Sequence, residues 1–512
     1  MFDLFGNRTK FVRAHVWRDK TDFTYPEASL ASLSEKADVG VAFSGGGTRS
    51  ASAVAGQLRG LKAIGLLGKV KYISAVSGGA WGAGPFTFLP ERFDEDEFLG
   101  EVLRPSEITV DSLNNLPKRS LLRAASDSVI TDDFLKEAFE LGGDETYARS
   151  IGNVFLEPFD LNDDGRFTTF DEVTLGNVLK ENDKARDNDH YLERGDFYVA
   201  RQGRPFFVAG ATLFSEQKKA PQLHVEFTPY YSGTRRFFDL DDPVGGGYLE
   251  TVGCDSERPR RRGTVVKVKL GKKHHRFALS DIIGTSGAAP QELLRKLRVG
   301  FVGFPEYRHW ALTDSGGFSD DEELSYGDGG HLENLGIMPL LARGVSNIIV
   351  FVNSKTKFVY DKDPDNCRIA SSIPNLFKPA PNGFKLNVVI KDDDKHKKYK
   401  ALLKAFAKAQ DAGKSLIHVD TYDIRRNVHY SVKARSDVRI CWVYNQNVQQ
   451  WFSHLPFHTK KLIEDGEVAR FPHYKTFFQN PPKVIDLSRA EAGLLAHLSC
   501  WNVTENKGLL AP

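Results

Sequence analysis

Two strand–turn–helix units near the N-terminus decide the fold. Residues 39–59 read VGVAFSGGGTRSASAVAGQLR, and residues 70–84 read VKYISAVSGGAWGAG. Each unit starts with an apolar run, reaches a turn of small residues and continues in a helix-like pattern. Such repeats predict an α/β protein with a parallel sheet. Ligands of parallel sheets bind at the carboxyl ends of the strands, so we expect the active site at these two turns.

The second turn has the form of a nucleophile elbow. Ala75-Val76-Ser77-Gly78-Gly79 departs from the usual G-x-S-x-G only by Ala75 in the first position. Small neighbours permit the strained strand-to-helix turn that exposes the Ser77 hydroxyl. The N–H of Gly78 would face charge that develops on a substrate oxygen. Alone, the pattern also suits an ordinary glycine-rich connection.

The first turn contains three consecutive glycines, Gly45, Gly46 and Gly47. Successive bare N–H groups form a concave nest that binds a phosphate or an oxyanion. No Lys-Ser/Thr follows, which excludes a P-loop, and the G-x-G-x-x-G spacing of dinucleotide sites is absent. We therefore predict an oxyanion hole formed by these three glycines together with Gly78, paired with Ser77.

A serine nucleophile needs a base, and residues 326–336, YGDGGHLENLG, place Asp328 in a glycine turn. The apolar run that follows at 345–351 is typical of a buried parallel strand. We predict that Asp328 accepts the Ser77 proton directly.

Three alternatives compete with this pair. Ser286, in the GTSGA stretch at 284–288, is the second choice as nucleophile. Asp314 competes as the base. His331 would complete a Ser-His-Asp triad, although it lies only three residues after Asp328.

Taken together, G-G-G-x-R, S-G-G-x-W and D-G-G-x-x-E-N-L resemble the family of cytosolic phospholipase A2, fungal phospholipase B and patatin. The stretches VEFTPY at 225–230, GGGY at 245–248, FPHYKTF at 471–477 and WNV at 501–503 extend the resemblance over most of the chain. It implies a three-layer α/β fold with a central, mostly parallel sheet and an inserted cap region. It also implies a Ser-Asp dyad, without histidine, that hydrolyses acyl esters of phospholipids at a membrane surface or micelle, with no cofactor in the chemistry.

The resemblance assigns further roles to two arginines. Arg49, in G-G-G-x-R, would contact the phosphate of the substrate headgroup, for which a planar guanidinium is well suited. A salt bridge that holds the glycine nest is an equal alternative. Arg343 resembles a second family arginine after the catalytic aspartate and would also contact phosphate.

Length and composition leave room for one large domain. The chain has 512 residues, 41% of them hydrophobic, and the motifs run from one end to the other. We predict an N-terminal arm at 1–36 and one catalytic domain at 37–512, with a cap-like insertion at approximately 90–280. The net charge of +2 does not indicate nucleic acid as a partner.

Cysteine usage and the absence of targeting signals bear on location. The four cysteines are scattered without metal-ligand spacing, which favours a reducing compartment. Residues 1–13 lack the apolar core of a signal peptide, and no run of about 18 apolar residues occurs. We predict a cytoplasmic protein that associates peripherally with membranes. The four cysteines are Cys254, Cys367, Cys441 and Cys500.

Residues 160–171, DLNDDGRFTTFD, resemble the calcium loop of an EF-hand. Acidic or amide side chains occupy positions one, three and five, glycine occupies position six, and Asp171 stands where glutamate is usual. A solvated Asx-turn connection is the alternative. The predicted ligands are Asp160, Asn162, Asp164, Arg166 and Asp171.

Two further functional readings stay open. One is a neutral-lipid esterase on the same scaffold, and the other is a non-catalytic, calcium-responsive lipid-binding module. A basic stretch from Arg258 to Arg276 predicts either attraction to anionic headgroups or a solvated hairpin.

Overall fold

The two predicted units lie side by side in one large sheet. The structure is a computed structural model. It describes residues 11–20, 22–126, 130–131, 146–183, 192–215, 222–235, 244–271, 275–289, 305–379, 386–393, 395–468, 470–475, 483–485 and 487–512.

Thirteen strands of the described residues form this sheet. They are β1 (Phe11–Arg18), β2 (Val39–Phe43), β3 (Tyr72–Val76), β4 (Phe206–Phe214), β5 (Gln222–Phe227), β6 (Tyr231–Thr234), β7 (Gly247–Glu250), β8 (Val265–Lys269), β9 (Glu306–His309), β10 (Glu322–Asp328), β11 (Asn347–Val352), β12 (Leu416–Ile424) and β13 (Arg435–Tyr444). Two short pairs lie outside it, Ile130–Thr131 with Lys483–Ile485 and Phe167–Thr169 with Phe197–Val199.

The helices vary in length from one turn to more than four. They are α1 (Ala31–Ser34), α2 (Gly47–Ala63), α3 (Gly78–Phe88), α4 (Glu95–Leu99), α5 (Val110–Asn114), α6 (Leu121–Ser126), α7 (Thr146–Phe155), α8 (Glu172–Asp183), α9 (Leu279–Ser286), α10 (Met338–Ala342), α11 (Pro374–Phe377), α12 (Lys397–Asp411), α13 (Gln449–Ser453), α14 (Phe457–Glu464), α15 (Arg489–Thr504) and α16 (Lys507–Leu510). Among the described residues, none of the helices combines the length and apolar character needed to cross a membrane.

The centre of the sheet is parallel, as predicted, and antiparallel strands extend it on both sides. The strand order is β8-β1-β7-β6-β5-β4-β3-β2-β11-β13-β12, with β9 and β10 attached beside β4. The pairs β4/β3, β3/β2, β2/β11 and β11/β13 are parallel. Every residue of β2, β3 and β4 is buried, so both faces of this central part are covered, as in a three-layer α/β arrangement.

Strand β4 has two neighbours along one of its edges. The parallel strand β3 pairs with its first half and ends at the pair Val76–Gly210. The antiparallel strand β10 pairs with its second half and ends at the pair Asp328–Ala211. The opposite edge of β4 is taken by β5. The carboxyl ends of β3 and β10 therefore meet head to head beside β4.

The helix that follows the glycine-rich turn packs closely on the C-terminal part of the chain. A Cβ on Gly56 of α2 would overlap with the carbonyl oxygen of Ala496, and a Cβ on Gly60 would lie 2.7 Å from the Val503 Cβ. These two glycines let α2 and α15 approach at a distance that larger residues would prevent.

The predicted N-terminal arm needs a correction in its described part. Strand β1 pairs with both β7 and β8, so residues 11–18 lie inside the sheet rather than over it, because their alternating pattern of buried residues matches a strand. Residues 1–10 lie outside the described part. Within the predicted insertion, strands β4 to β8 belong to the same sheet. The domain boundaries themselves stay predictions.

Candidate active site

Ser77 lies on a strained turn between β3 and α3. Its backbone has φ 55° and ψ −129°, a conformation that is costly for a residue with a side chain and is found mainly at functional sites. A Cβ on Gly78 would overlap with the Gly47 carbonyl oxygen, and one on Gly79 would lie 2.6 Å from the Phe43 oxygen. The small residues of the motif are therefore required, and the turn has the geometry of the predicted elbow.

Ser286 holds this turn from behind. The Ser77 N–H donates to Ser286 Oγ at 3.0 Å, and that hydroxyl donates to the Gly210 carbonyl at 2.7 Å. Ser286 is fully buried. The alternative that Ser286 is the nucleophile is therefore wrong, because its hydroxyl is enclosed and engaged in positioning Ser77.

Asp328 meets Ser77 at the point where β3 and β10 end. Ser77 and Asp328 line the same cleft, the Ser77 side chain lowers the pKa of the Asp328 carboxyl group, and the Gly330 N–H donates to Asp328 Oδ1 at 2.6 Å. Burial raises the pKa of Asp328, against the opposing effects of His331, Gly330 and Ser77. A raised pKa makes the carboxylate a stronger base for a hydroxyl proton.

Both side chains line one cleft of about 510 Å³, which we call the Ser77 cleft. Gly46 and Gly47 line it at the N-terminus of α2, where the first N–H groups have no intrahelical acceptor and the helix dipole favours negative charge. Gly45 needs a correction, because its N–H already donates to the Asn334 carbonyl at 2.9 Å.

Gly78 is the first residue of α3, directly after Ser77. It is buried and does not itself line the cleft among the described residues. Its role as an oxyanion donor stays a prediction.

The two remaining alternatives for the base differ in position. His331 lines the Ser77 cleft, and it lowers the pKa of Asp328 electrostatically. Ser77, however, acts on the aspartate itself, because its side chain lowers the pKa of Asp328. Asp314 is exposed and is not among the described residues that line the cleft.

Arg49 is a buried cation at the wall of the cleft. Its Nε donates to the Asn353 carbonyl at 3.0 Å and its Nη1 to the Tyr474 carbonyl at 2.5 Å. Within the described residues no carboxylate forms an ion pair with it, so the predicted salt bridge alternative finds no partner there. Burial lowers the pKa of Arg49 to about 10. Among the described residues, the hydrogen bonds of its guanidinium go to backbone oxygens, and it borders the space that a substrate would occupy.

Arg343 was predicted to contact substrate phosphate, and this prediction is wrong. The guanidinium is buried and pairs with Glu27 at 2.8 Å and with Glu226 at 2.8 Å. It also donates to the Tyr231 hydroxyl at 2.8 Å. These partners use the donors of the fork, and Arg343 does not line the Ser77 cleft among the described residues.

The predicted calcium ligands do not converge on a common point. Asp160 pairs with Arg92 at 2.7 Å, and Asp164 pairs with Arg149 at 3.0 Å. The two carboxylates are therefore directed towards cations of the protein itself.

The other three predicted ligands are also engaged elsewhere. Asp171 Oδ1 accepts the Thr174 N–H at 2.8 Å at the start of α8. The side chains of Asn162 and Arg166 bond to neighbouring side chains of this region. No group of three or more acidic, histidine or cysteine side chains in the described part of the chain could hold a metal ion. The loop as folded gives the calcium prediction no support.

Sequence reasoning missed most of the cleft lining, because most of these residues belong to no motif and no role was predicted for Ser44 or Asn334, which do. Their side chains are mainly hydroxyls and amides, which suits a polar part of a ligand. The polar residues that were missed are Ser44, Asn334, Asn353, Ser354, Lys355, Thr356, Ser371, Ser372, Asn375 and Asn387.

Fold and site together define an α/β protein in which a strained serine, a buried aspartate and the N-terminus of a glycine-led helix surround one cleft. No protein-family model matches the sequence, and no curated protein matches it.

Solved structures resemble the chain distantly. Human GIVD cytosolic phospholipase A2 has 13% sequence identity and a TM-score of 0.45, with 93% of this chain and 61% of that chain covered. The same human protein in complex with methyl gamma-linolenyl fluorophosphonate has 15% identity, a TM-score of 0.41 and coverage of 93% and 59%. VipD from Legionella pneumophila has 12% identity, a TM-score of 0.21 and coverage of 64% and 51%. The chain spans about 60% of the human protein's length, and values this low say nothing about its activity.

Proposed function

We propose that the chain is a serine acylhydrolase that cleaves fatty-acyl esters of glycerophospholipids, as a phospholipase or lysophospholipase. The observation that carries the proposal is that the strained Ser77 and the buried Asp328 line one cleft together with Gly46 and Gly47. A nucleophile, its base and an electropositive helix end are the three parts that acyl transfer needs.

In the first half of the reaction, Ser77 Oγ attacks the acyl carbonyl carbon while Asp328 takes the hydroxyl proton. The negative charge that develops on the carbonyl oxygen is stabilised by N–H groups of Gly46, Gly47 and Gly78, each worth about 3 kcal/mol in such sites. The ester C–O bond then breaks, and the lysophospholipid alcohol leaves with the proton from Asp328. Ser77 retains the fatty acid as an acyl ester.

In the second half, water attacks the acyl-Ser77 ester while Asp328 accepts a proton from that water. Collapse of the tetrahedral intermediate releases the fatty acid and returns the proton to Ser77 Oγ. The burial that raises the pKa of Asp328 serves both halves, because each begins with proton transfer from a weakly acidic hydroxyl.

Arg49 favours a phospholipid over a neutral glyceride as substrate. It borders the Ser77 cleft without a carboxylate partner among the described residues, and a guanidinium binds phosphate oxygens well. A neutral-lipid esterase would have no use for a buried cation at this wall. A phospholipid substrate also implies that the protein meets a membrane surface or micelle, by peripheral association from the cytoplasm.

The test is covalent labelling of the protein by a fluorophosphonate, followed by mass spectrometry of the modified peptide. We expect the label on Ser77, its loss in Ser77→Ala, and its retention in Ser74→Ala, which changes another serine of the same strand. Products released from mixed-chain phospholipids would then identify the cleaved ester. An unlabelled Ser77 in folded protein would overturn the proposal and favour a non-catalytic lipid-binding module. Turnover of glycerides without turnover of phospholipids would favour the esterase.

A further inference from the structure

A second, strongly basic pocket opens beside the Ser77 cleft. It has a volume of about 610 Å³ and is lined by five cationic side chains. It shares Lys355 and Thr356 with the Ser77 cleft, so the two spaces are contiguous. We call it the basic pocket; its cations are Lys355, Lys357, Arg368, Arg470 and Lys475.

One wall of the basic pocket is the segment 470–475, which is tied to the Ser77 cleft. The Tyr474 carbonyl accepts from Arg49 at 2.5 Å. The ring of His473 lies 3.0 Å from the Ser354 carbonyl and 2.9 Å from the Gln446 side chain. These bonds fix the backbone that carries Arg470 and Lys475, so their position beside the cleft is built into the fold.

The opposite wall is fixed by backbone pairing. Val359 and Arg368 exchange two hydrogen bonds of 2.9 Å each, which places Arg368 next to the loop that carries Lys355 and Lys357. The side chains of all five cations are exposed, and a ligand entering from solvent can therefore reach them.

The charge of the basic pocket is not compensated by the described part of the chain. None of its five cations forms an ion pair with a carboxylate there, and burial together with the charges of Arg49 and Lys475 lowers the pKa of Lys355. Basic residues elsewhere differ in this respect. Arg258 pairs with Asp320 at 2.6 Å and Arg276 with Asp196 at 2.6 Å.

Arg258 and Arg276 belong to the basic stretch noted in the sequence. Lys272 and Lys273 of that stretch lie outside the described residues. Three of its described members, Arg258, Lys269 and Arg276, are thus paired with carboxylates. Unpaired cations collected in a concave site have the arrangement of an anion-binding pocket.

We infer that the basic pocket binds a second anionic group of the lipid substrate, a phosphomonoester on the headgroup, while the acyl ester lies at Ser77 and the phosphodiester near Arg49. The inference rests on the proposed function for its orientation. It extends that function from phospholipids in general to those whose headgroup carries an additional phosphate. Inorganic phosphate has the same chemistry, so the test must separate the two sources.

The test measures binding without turnover. Ser77→Ala protein is sedimented with phosphatidylcholine vesicles that contain a small fraction of phosphatidylinositol monophosphate. Matched vesicles contain phosphatidylinositol, or phosphatidylserine at equal total charge. We expect the tightest binding to the monophosphate vesicles. Lys357→Gln, Arg368→Gln and Lys475→Gln are then combined in the Ser77→Ala protein. This triple change should weaken binding to the monophosphate vesicles by about fivefold per removed charge.

A matched variant, Lys395→Gln with Lys404→Gln and Lys408→Gln, removes the same charge at and beside helix α12, from side chains that do not line the basic pocket, and should leave the preference intact. Lys357→Arg with Lys475→Arg keeps the charge and should also retain it. Thermal unfolding of every variant shows whether it is folded; if the triple glutamine variant is not, the three single variants replace it.

Two results would overturn the inference. One is equal binding to monophosphate and charge-matched phosphatidylserine vesicles, which would indicate only general attraction to negative surfaces. The other is complete competition by inorganic phosphate together with no lipid preference, which would assign the pocket to the free ion. Labelling of Ser77 by a fluorophosphonate is read separately, so failure of the hydrolase proposal and failure of this inference give different results.

Discussion

Replacing Ser286 by alanine tests whether the elbow is held from behind. In the folded protein the Ser286 hydroxyl accepts the Ser77 N–H at 3.0 Å and donates to the Gly210 carbonyl at 2.7 Å. Both bonds lie in a fully buried place, so water does not replace the lost hydroxyl without a rearrangement. The change removes a positioning contact and touches neither Ser77 Oγ nor Asp328.

The expected loss of stability follows from the two bonds. A buried N–H left without an acceptor costs about 1–3 kcal/mol, and the second hydrogen bond contributes about 1 kcal/mol. We therefore expect the free energy of unfolding to fall by about 2–4 kcal/mol. The positive φ of Ser77, 55°, stores strain that this contact helps to hold. When the strained backbone of Ser77 relaxes, a displacement of about 1 Å at the nucleophile costs on the order of a hundredfold in rate.

The assay combines urea unfolding, followed by circular dichroism, with the second-order rate of fluorophosphonate labelling of Ser77. Ser74→Ala is the matched control. Ser74 is also fully buried on β3, and its hydroxyl has no partner within hydrogen-bond distance among the described residues. We expect the control to differ little from the unmodified protein in both measurements.

If Ser286→Ala and Ser74→Ala had the same free energy of unfolding and the same labelling rate, the reasoning would be refuted. A loss of stability with an unchanged labelling rate would also count against it, because a hydroxyl that only fills space leaves the elbow where it is. Ser286→Thr, which keeps the hydroxyl, should restore labelling if the methyl group is accommodated.

Four residues give further predictions. Asp328→Asn should lower turnover by at least about a thousandfold. Because burial raises the pKa of Asp328 in the folded state, ionisation of its carboxyl group at high pH lowers the free energy of unfolding of the protein. Asp328→Asn should therefore exceed the unmodified protein in unfolding free energy at neutral pH, with the difference closing in acid. Burial raises the pKa of Glu333 from 4.5 to about 7. Ionisation of this carboxyl group as the pH rises between these two values should therefore lower the free energy of unfolding by about 3 kcal/mol. The comparison is with Glu333→Gln, which has no group that ionises there. Arg49→Met should lower the ratio of phospholipid to glyceride turnover. Arg343→Met should leave that ratio unchanged but destabilise by about 3–5 kcal/mol in chemical denaturation, because two buried glutamates lose their partner.

Local features of the sequence predicted the two turns and the strands that lead into them. Gly78 and Gly79 after Ser77 are required by contacts with the backbone of Phe43, Ser44 and Gly47, and the run of small residues alone signals a tight turn. The apolar runs at 39–43 and 347–352 became buried parallel strands, since a strand covered on both faces has apolar residues at every position.

Partners that lie far apart in the chain could not be predicted in the same way. Ser286 bonds to a residue 209 positions earlier, and its GTSG setting looks like an elbow because small residues also serve a tightly packed helix end. Arg343 reaches a glutamate 316 positions earlier. No periodicity or spacing rule predicts such pairs. The sequence therefore showed no sign of the buried glutamates that bind Arg343, and the resemblance assigned to Arg343 a role that these partners exclude.

The head-to-head meeting of β3 and β10 explains how a serine and an aspartate come to the same cleft without a histidine between them. Adjacent strands in a sheet lie about 4.8 Å apart. Two residues at the ends of such strands are therefore separated by at least this distance, and a third side chain normally connects their functional groups. Here both strands occupy one edge of β4, and their ends abut at Gly210 and Ala211. Backbone pairing thus brings Ser77, which directly follows β3, and Asp328, at the end of β10, to the same cleft. We therefore attribute the proposed direct transfer of a proton from serine to aspartate to the sheet's topology.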